Sequence, residues 1–242
     1  MAKVSAPTGI IAIKNPDKEF HETWDDKVIG EKILHRHPMN IPHPFRAVLI
    51  GTPGSGKTTI AINLIMYQKP HFERVVVIHV DGHYTKEYDA VGSYELLETI
   101  PSADWWDGEL KTLAILDDIP FKYLDSKQQK NLDRLFGYVS THKNVSVIGT
   151  AQEGFSIPAV PRRCANLWVL WKAKDWDSFG RIAKRAGLTK DDLFDLMRRF
   201  GKQDSLWIDY TIDTPYPLRK NGINIIELPS EEQRPTTKRI KN

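Results

Sequence analysis

Eight consecutive residues, Gly51-Thr52-Pro53-Gly54-Ser55-Gly56-Lys57-Thr58, constrain this chain more than any other feature in it. They follow the apolar run Ala47-Val48-Leu49-Ile50 and lead into a stretch from Lys57 to Tyr67 that suits a helix. A continuous apolar run of this kind suits a strand buried on both faces. A strand, a glycine-rich turn and a helix in this order build a cradle for phosphate. The glycines let the backbone wrap closely enough for its N–H groups to face an anion, and the helix N-terminus adds a positive dipole end. In loops of the form G-x-x-x-x-G-K-[ST] the lysine reaches the β- and γ-phosphates and the hydroxyl ligates Mg²⁺. Those positions are Lys57 and Thr58 here, with Thr59 beside them, so the expected cofactors are ATP and Mg²⁺.

A second element supports the first. Leu113-Ala114-Ile115-Leu116 reads as a strand, and it ends on two acids, Asp117 and Asp118. Asp117, at the strand tip, is placed to hold Mg²⁺, and Asp118 is the candidate base that orients an attacking water. Carboxylates at strand ends are also ordinary turn residues, so pairing with the phosphate loop is what makes these two candidates. A third apolar strand, Val145-Ser146-Val147-Ile148, runs through Gly149-Thr150-Ala151 to Gln152, an amide that the strand order places beside the same site.

Around these motifs, strands alternate with helices. Strands are expected near 47–50, 74–78, 113–116, 145–148 and 167–171. Helices are expected near 57–67 and 126–139, then 176–187 and 189–200. Two late strands follow, near 205–211 and 222–228. This alternation implies an α/β fold with a mostly parallel sheet flanked by helices. Residues 1–45 read as a lead-in, with Gly9 to Ile13 a possible strand, residues 46–228 as the catalytic domain, and 229–242 as a basic tail. His35, His37 and His43 lie among prolines, and their spacing matches no standard metal-ligand pattern.

The 242 residues are enough for a substantial core. No apolar run approaches the ~20 residues of a membrane helix, so no membrane span is expected. The start lacks a secretory pattern, and the one cysteine, Cys164, allows no internal disulfide. Both point to a reducing, intracellular compartment. A GTP-specific reading is weak, because guanine recognition typically uses Asn-Lys-x-Asp and no Asn-Lys pair occurs in the chain. A nucleoside or nucleotide kinase also carries such a loop, and it stays open from the residues alone.

Taken together, the chain resembles the viral genome-packaging ATPases of the FtsK/HerA superfamily, of the poxvirus-like type. The matching stretches are Leu49 to Thr59, Leu113 to Asp118, His142 to Gln152 and Pro161 to Asn166. The late Asp204 to Asp209, followed by Arg219-Lys220-Asn221, completes the pattern. The resemblance implies a P-loop NTPase with a central sheet of order 5-1-4-3-2 and late C-terminal strands. It implies a ring-forming motor, a pentamer or hexamer, that moves double-stranded DNA into a capsid and meets capsid or portal-vertex proteins. Such a motor works in the virion or the host cytoplasm, at the assembly site. The resemblance also implies an arginine finger, with Arg162 and Arg163 at the matching positions. Another DNA translocase or helicase of the superfamily is the nearest alternative.

The net charge of +3 says little about partners, but its distribution says more. Arg162 to Lys190 holds eight basic residues against two acids, Asp175 and Asp177, a local excess of six. On the helix expected after Trp176, Arg181, Lys184 and Arg185 stand at i, i+3 and i+4 and share one face. A motor that must grip any sequence needs phosphate contacts of this kind, since they carry no sequence information.

Overall fold

The apolar runs of the sequence become the centre of one nine-stranded sheet. The computed structural model describes residues 37–227, apart from 82–85, 173–175, 186 and 212–216. The expected strand at Gly9 to Ile13 and the basic tail lie outside the described residues.

In chain order the elements begin with β1 (Arg46–Ile50), α1 (Lys57–Tyr67), β2 (Arg74–Ile78) and a 3-10 segment at Lys86–Val91. Next come β3 (Glu95–Leu97), β4 (Thr112–Leu116) and α2 (Ser126–Arg134), which continues through a π turn at Leu135–Val139. After these are β5 (Val145–Ala151), α3 (Ala159–Cys164), β6 (Leu167–Trp171), α4 (Trp176–Arg185) and α5 (Lys190–Arg198). The chain then forms β7 (Ser205–Asp209), β8 (Leu218–Lys220) and β9 (Asn224–Ile225).

The sheet order is β3-β2-β4-β5-β1-β6-β7-β8-β9. Numbered by themselves, the five expected core strands stand in the order 5-1-4-3-2. Strands β3, β2, β4, β5, β1 and β6 run parallel, while β7, β8 and β9 join antiparallel at one edge. Successive side chains of a strand point to opposite faces, so each core strand feeds two cores. Val48 and Ile50 of β1, with Ala114 and Leu116 of β4, meet Leu132, Leu135 and Phe136 of the α2 region on one face. Ala47 and Leu49, with Leu113 and Ile115, meet Ala61, Leu64 and Ile65 of α1 on the other. Burial on both faces is why these strands read as unbroken apolar runs.

Three details depart from the sequence reading. Strand β3 was not expected, because Glu95-Leu96-Leu97 is too short to show a period. Helix α3 was hidden by Pro161, which sits in the first turn, where a missing N–H costs little. Of the second late strand, expected near 222–228, only the two-residue β9 forms, and β8 precedes it across a turn at Asn221 and Gly222, both of which take positive φ.

Several motif residues away from the phosphate loop act as fasteners. The His43 ring lies 2.7 Å from Ser146 Oγ and 2.8 Å from Asn144 Oδ1, tying the lead-in to the start of β5. Burial lowers the pKa of His43, which favours its neutral form there. The Arg46 amide donates to Asn166 Oδ1 at 2.7 Å, joining the start of β1 to the start of β6. At the far edge the Arg219 guanidinium pairs with Asp209 in a buried ion pair and donates to the Pro38 carbonyl. Asn221 bridges the Ser205 amide and the Asp204 carboxylate. These bonds account for the His142–Ser146 and Asp204–Asn221 stretches without assigning them any chemistry.

Candidate functional site

The site forms at the carboxyl ends of β1, β4 and β5, where open α/β sheets bind ligands. The loop leaves β1 at Gly51, whose amide donates to the Ala151 carbonyl of β5 at 3.0 Å. Glycine is required at this position. A Cβ on Gly51 would fall 2.5 Å from Ser55 Oγ and 3.1 Å from Trp171. Gly54 and Gly56 take φ of 71° and 104°, in the left-handed region. Thr52, Pro53 and Gly54 are exposed across the top of the loop, as is Thr59, while Ser55 is buried.

Several observations fit this loop to a polyphosphate. Helix α1 begins after Gly56, which has no side chain to cap it, and its first turn holds no acid. Its first amides are therefore open to an outside acceptor. Ser55 Oγ is buried with no hydrogen-bond partner among the described residues. Lys57 Nζ folds back over the loop and donates to the Gly51 carbonyl at 2.8 Å and the Thr52 carbonyl at 3.3 Å. Burial lowers the lysine's pKa, while the carboxylates of Asp118 and Asp117 oppose that shift.

Asp117 closes the site. Its amide donates to the Ile78 carbonyl at 3.0 Å, holding the end of β4 against β2. Its Oδ2 accepts from the Tyr88 hydroxyl at 2.8 Å and lies 3.4 Å from Thr58 Oγ1. Its Oδ1 accepts from the Thr150 hydroxyl at 2.8 Å. Thr58 and Asp117 thus face one another as hard oxygen donors, the ligand type Mg²⁺ selects. Burial pushes the Tyr88 phenol upward, with the Asp117 carboxylate adding to the shift, so Tyr88 stays protonated and donates.

Asp118 takes φ of 53°, a conformation that aspartate tolerates better than most residues. Its amide donates to Thr150 Oγ1 at 3.0 Å, and its side chain is exposed. One hydroxyl therefore holds both acids. Gln152 follows β5 directly and is exposed at the same edge of the sheet.

The structure gathers Lys57, Thr58, Asp117 and Asp118 at one place, as expected, and adds Thr150 and Tyr88. Thr150 lay inside a strand motif, where a β-branched residue needs no further explanation. Tyr88 lay in a segment without periodicity, so no sequence signal marked it.

Arg162 and Arg163 are elsewhere. They sit on α3 and line a cavity of about 360 Å³ together with Gly154, Ala159, Trp168, Arg181 and Ile182. Among the described residues, no phosphate-loop residue lines that cavity. On α4, Phe179, Ile182 and Ala183 are buried while Arg181 and Lys184 are exposed. The Arg185 side chain lies outside the described residues.

The fold is that of the P-loop NTPases. The family model for the type IV secretion-system coupling protein DNA-binding domain matches residues 43–101. In fold, the chain is similar to the genome packaging NTPase B204 from Sulfolobus turreted icosahedral virus 2 in complex with AMPPCP. That likeness has a TM-score of 0.53 and 15% identity, covering 74% of this chain and 98% of that one. It is also similar to B204, the DNA-packaging ATPase from Sulfolobus turreted icosahedral virus, with a TM-score of 0.54 and 13% identity, over 74% and 97% of the two chains. The sulfate complex of the former gives a TM-score of 0.56 at 16% identity, over 74% and 96%. No curated protein matches the chain. The likeness to packaging NTPases lies in the fold, and the likeness to coupling proteins in residues 43–101. Among the described residues, no helix is long and apolar enough to cross a membrane.

Proposed function

We propose that this chain is a Mg²⁺-dependent ATPase that translocates double-stranded DNA into a viral capsid. The observation that carries the ATPase reading is the approach of Thr58 Oγ1 to Asp117 Oδ2, 3.4 Å apart beside Lys57. Lys57 binds the β- and γ-phosphates together with backbone amides of the Gly51–Thr59 loop, in which Pro53 has no N–H and the Gly51 amide is already bonded to Ala151. Thr58 and Asp117 hold the metal. Mg²⁺, when bound, neutralises charge on the phosphate oxygens. Asp118 holds the attacking water and takes its proton, and Gln152 orients that water. Residues 46–228 form the ATPase domain, between a lead-in at 1–45 and a basic tail at 229–242.

Two features support the DNA and ring parts of the reading. Residues 43–101 match a coupling-protein DNA-binding domain, and the chain shares its fold with packaging NTPases. Arg162 and Arg163 line a cavity with Gly154, Arg181 and Ile182, and among the described residues no phosphate-loop residue lines it. In this reading they act on the phosphoryl group of a neighbouring subunit, in a closed ring of five or six copies. Capsid or portal-vertex proteins are the ring's partners, and the assembly site in the host cytoplasm or virion is where it works.

An ATPase assay with and without double-stranded DNA, run beside a mass measurement of the assembly, tests this reading. DNA-stimulated hydrolysis by a ring is expected. Phosphoryl transfer to a nucleoside by a monomer, with no response to DNA, would overturn it in favour of a kinase.

A further inference from the structure

A carboxylate that helps to hold a metal must keep its plane as well as its position. The torsion that turns an aspartate carboxylate about its Cβ–Cγ bond is broad, so the backbone alone does not set it. At Asp117 two side-chain donors do. Thr150 takes Oδ1 at 2.8 Å and Tyr88 takes Oδ2 at 2.8 Å. With Thr150 alone, the carboxylate could swing about one anchored oxygen. With both, Oδ2 is held toward Thr58.

Tyr88 is well placed to be a fixed donor. It is 1% exposed and belongs to the apolar cluster that contains Ala61, Leu64 and Ile65 of α1. Its segment, Lys86–Val91, packs against α1, the helix that carries Lys57 and Thr58. The tyrosine ring is thus fixed to the element bearing one oxygen ligand, while its hydroxyl fixes the other. A phenol needing only to satisfy its own hydrogen bond could use any nearby carbonyl. Here it uses the oxygen that faces Thr58.

We propose that Tyr88 is a positioning residue for the metal, aiming Asp117 Oδ2 at the space it shares with Thr58. This rests on the reading of Asp117 as a metal ligand. Supporting partners of metal ligands typically matter by about 10–100-fold in metal affinity. The phenol donates to Asp117, and in this reading its loss acts through that carboxylate.

The test compares the parent chain with Tyr88→Phe and Asp117→Asn. Tyr88→Phe keeps the buried ring and removes only the hydroxyl. Mn²⁺ binding to the protein saturated with ATPγS is followed by electron spin resonance, and ATP binding is measured separately in EDTA. A thermal melt without metal reports folding. The expected result for Tyr88→Phe is Mn²⁺ affinity at least about 10-fold weaker, with metal-free ATP binding and the melt unchanged. Unchanged Mn²⁺ affinity in Tyr88→Phe would overturn the proposal, provided that Asp117→Asn loses it. If Asp117→Asn also keeps full affinity, the metal assignment itself fails and this proposal falls with it. A parallel loss of Mn²⁺ affinity, metal-free ATP binding and melting temperature would make Tyr88 a packing residue and overturn the positioning role.

Discussion

The Thr150 hydroxyl donates to Asp117 Oδ1 at 2.8 Å and accepts from the amide of the next acid, Asp118, at 3.0 Å. It joins the end of β5 to the Asp117 carboxylate and the Asp118 backbone amide at the end of β4, and the Asp118 side chain is exposed. Replacing it by an isosteric apolar group strands both partners. Thr150→Val is expected to destabilise the protein by about 1–3 kcal/mol and to lower kcat more than it raises KM for ATP. Thr150→Ser restores the hydroxyl and should recover most of kcat. Urea unfolding together with steady-state kinetics reads both effects. A Thr150→Val enzyme with parental kcat would show that the bridge has no part in turnover.

The two loop-proximal charges should fail in different ways. Lys57→Ala removes the side-chain cation inside the loop, so hydrolysis should be abolished. Asp118→Asn keeps Asp117 and the loop, so ATP binding should persist while turnover stops. Equilibrium binding of a fluorescent ATP analogue, paired with phosphate release, separates the two. Normal turnover in Asp118→Asn would remove the base assignment.

Nucleotide binding should take up a proton at alkaline pH. Burial holds the Lys57 ammonium below its ordinary 10.5 in the free protein. A bound triphosphate favours the charged form and raises that pKa. Between the lowered free value and the higher bound value, binding carries a proton with it, and affinity falls as pH rises through that window. Calorimetry in two alkaline buffers of different ionisation enthalpy measures the uptake. Lys57→Arg, whose guanidinium stays charged throughout, should show none. A parent protein whose binding heat is independent of the buffer would contradict this account.

Subunit mixing tests the arginines. Subunits carrying Lys57→Ala have a dead loop but intact arginines. Subunits carrying Arg162→Ala and Arg163→Ala have a sound loop. Rings containing both should recover part of the hydrolysis that each lacks alone. No recovery in rings shown by mass to be mixed would count against an intersubunit role.

The basic face of α4 predicts how DNA is held. Arg181 and Lys184 are exposed opposite the buried Phe179, Ile182 and Ala183. Arg181→Ala/Lys184→Ala/Arg185→Ala should weaken DNA binding equally across sequences and flatten its salt dependence by about 0.9 in log–log slope per lost phosphate contact. Fluorescence anisotropy across a salt series measures the slope. An unchanged slope would move the contact elsewhere, with Lys238-Arg239-Ile240-Lys241 next to test.

Much of the core was legible because both faces of the parallel strands are buried. Ala47 to Ile50, Val75 to Ile78 and Leu113 to Leu116 are unbroken apolar runs for that reason, and helix α1 has the bounds its pattern suggested. The edges were not legible. Three residues suffice for β3 or β8, fewer than any period needs. The π turn at Leu135–Val139 lies inside an amphipathic pattern that a plain α-helix would also show.

Local chemistry determined the phosphate loop, because its glycines, Lys57 and Thr58 act within one short segment whose geometry is set by chain connectivity. The acids at the end of β4 were readable for the same reason, since a strand tip is a local feature. Tertiary structure alone decided what surrounds Asp117. Tyr88 is 29 residues before it and Thr150 is 33 after it, and no spacing rule links positions so far apart. They meet because β5 lies beside β4, and because the segment Lys86–Val91 packs against α1. Tertiary structure likewise drew Arg181 into the cavity of Arg162 and Arg163. Hydrogen bonds and charges act over a few ångströms, and only the folded chain brings such distant residues that close.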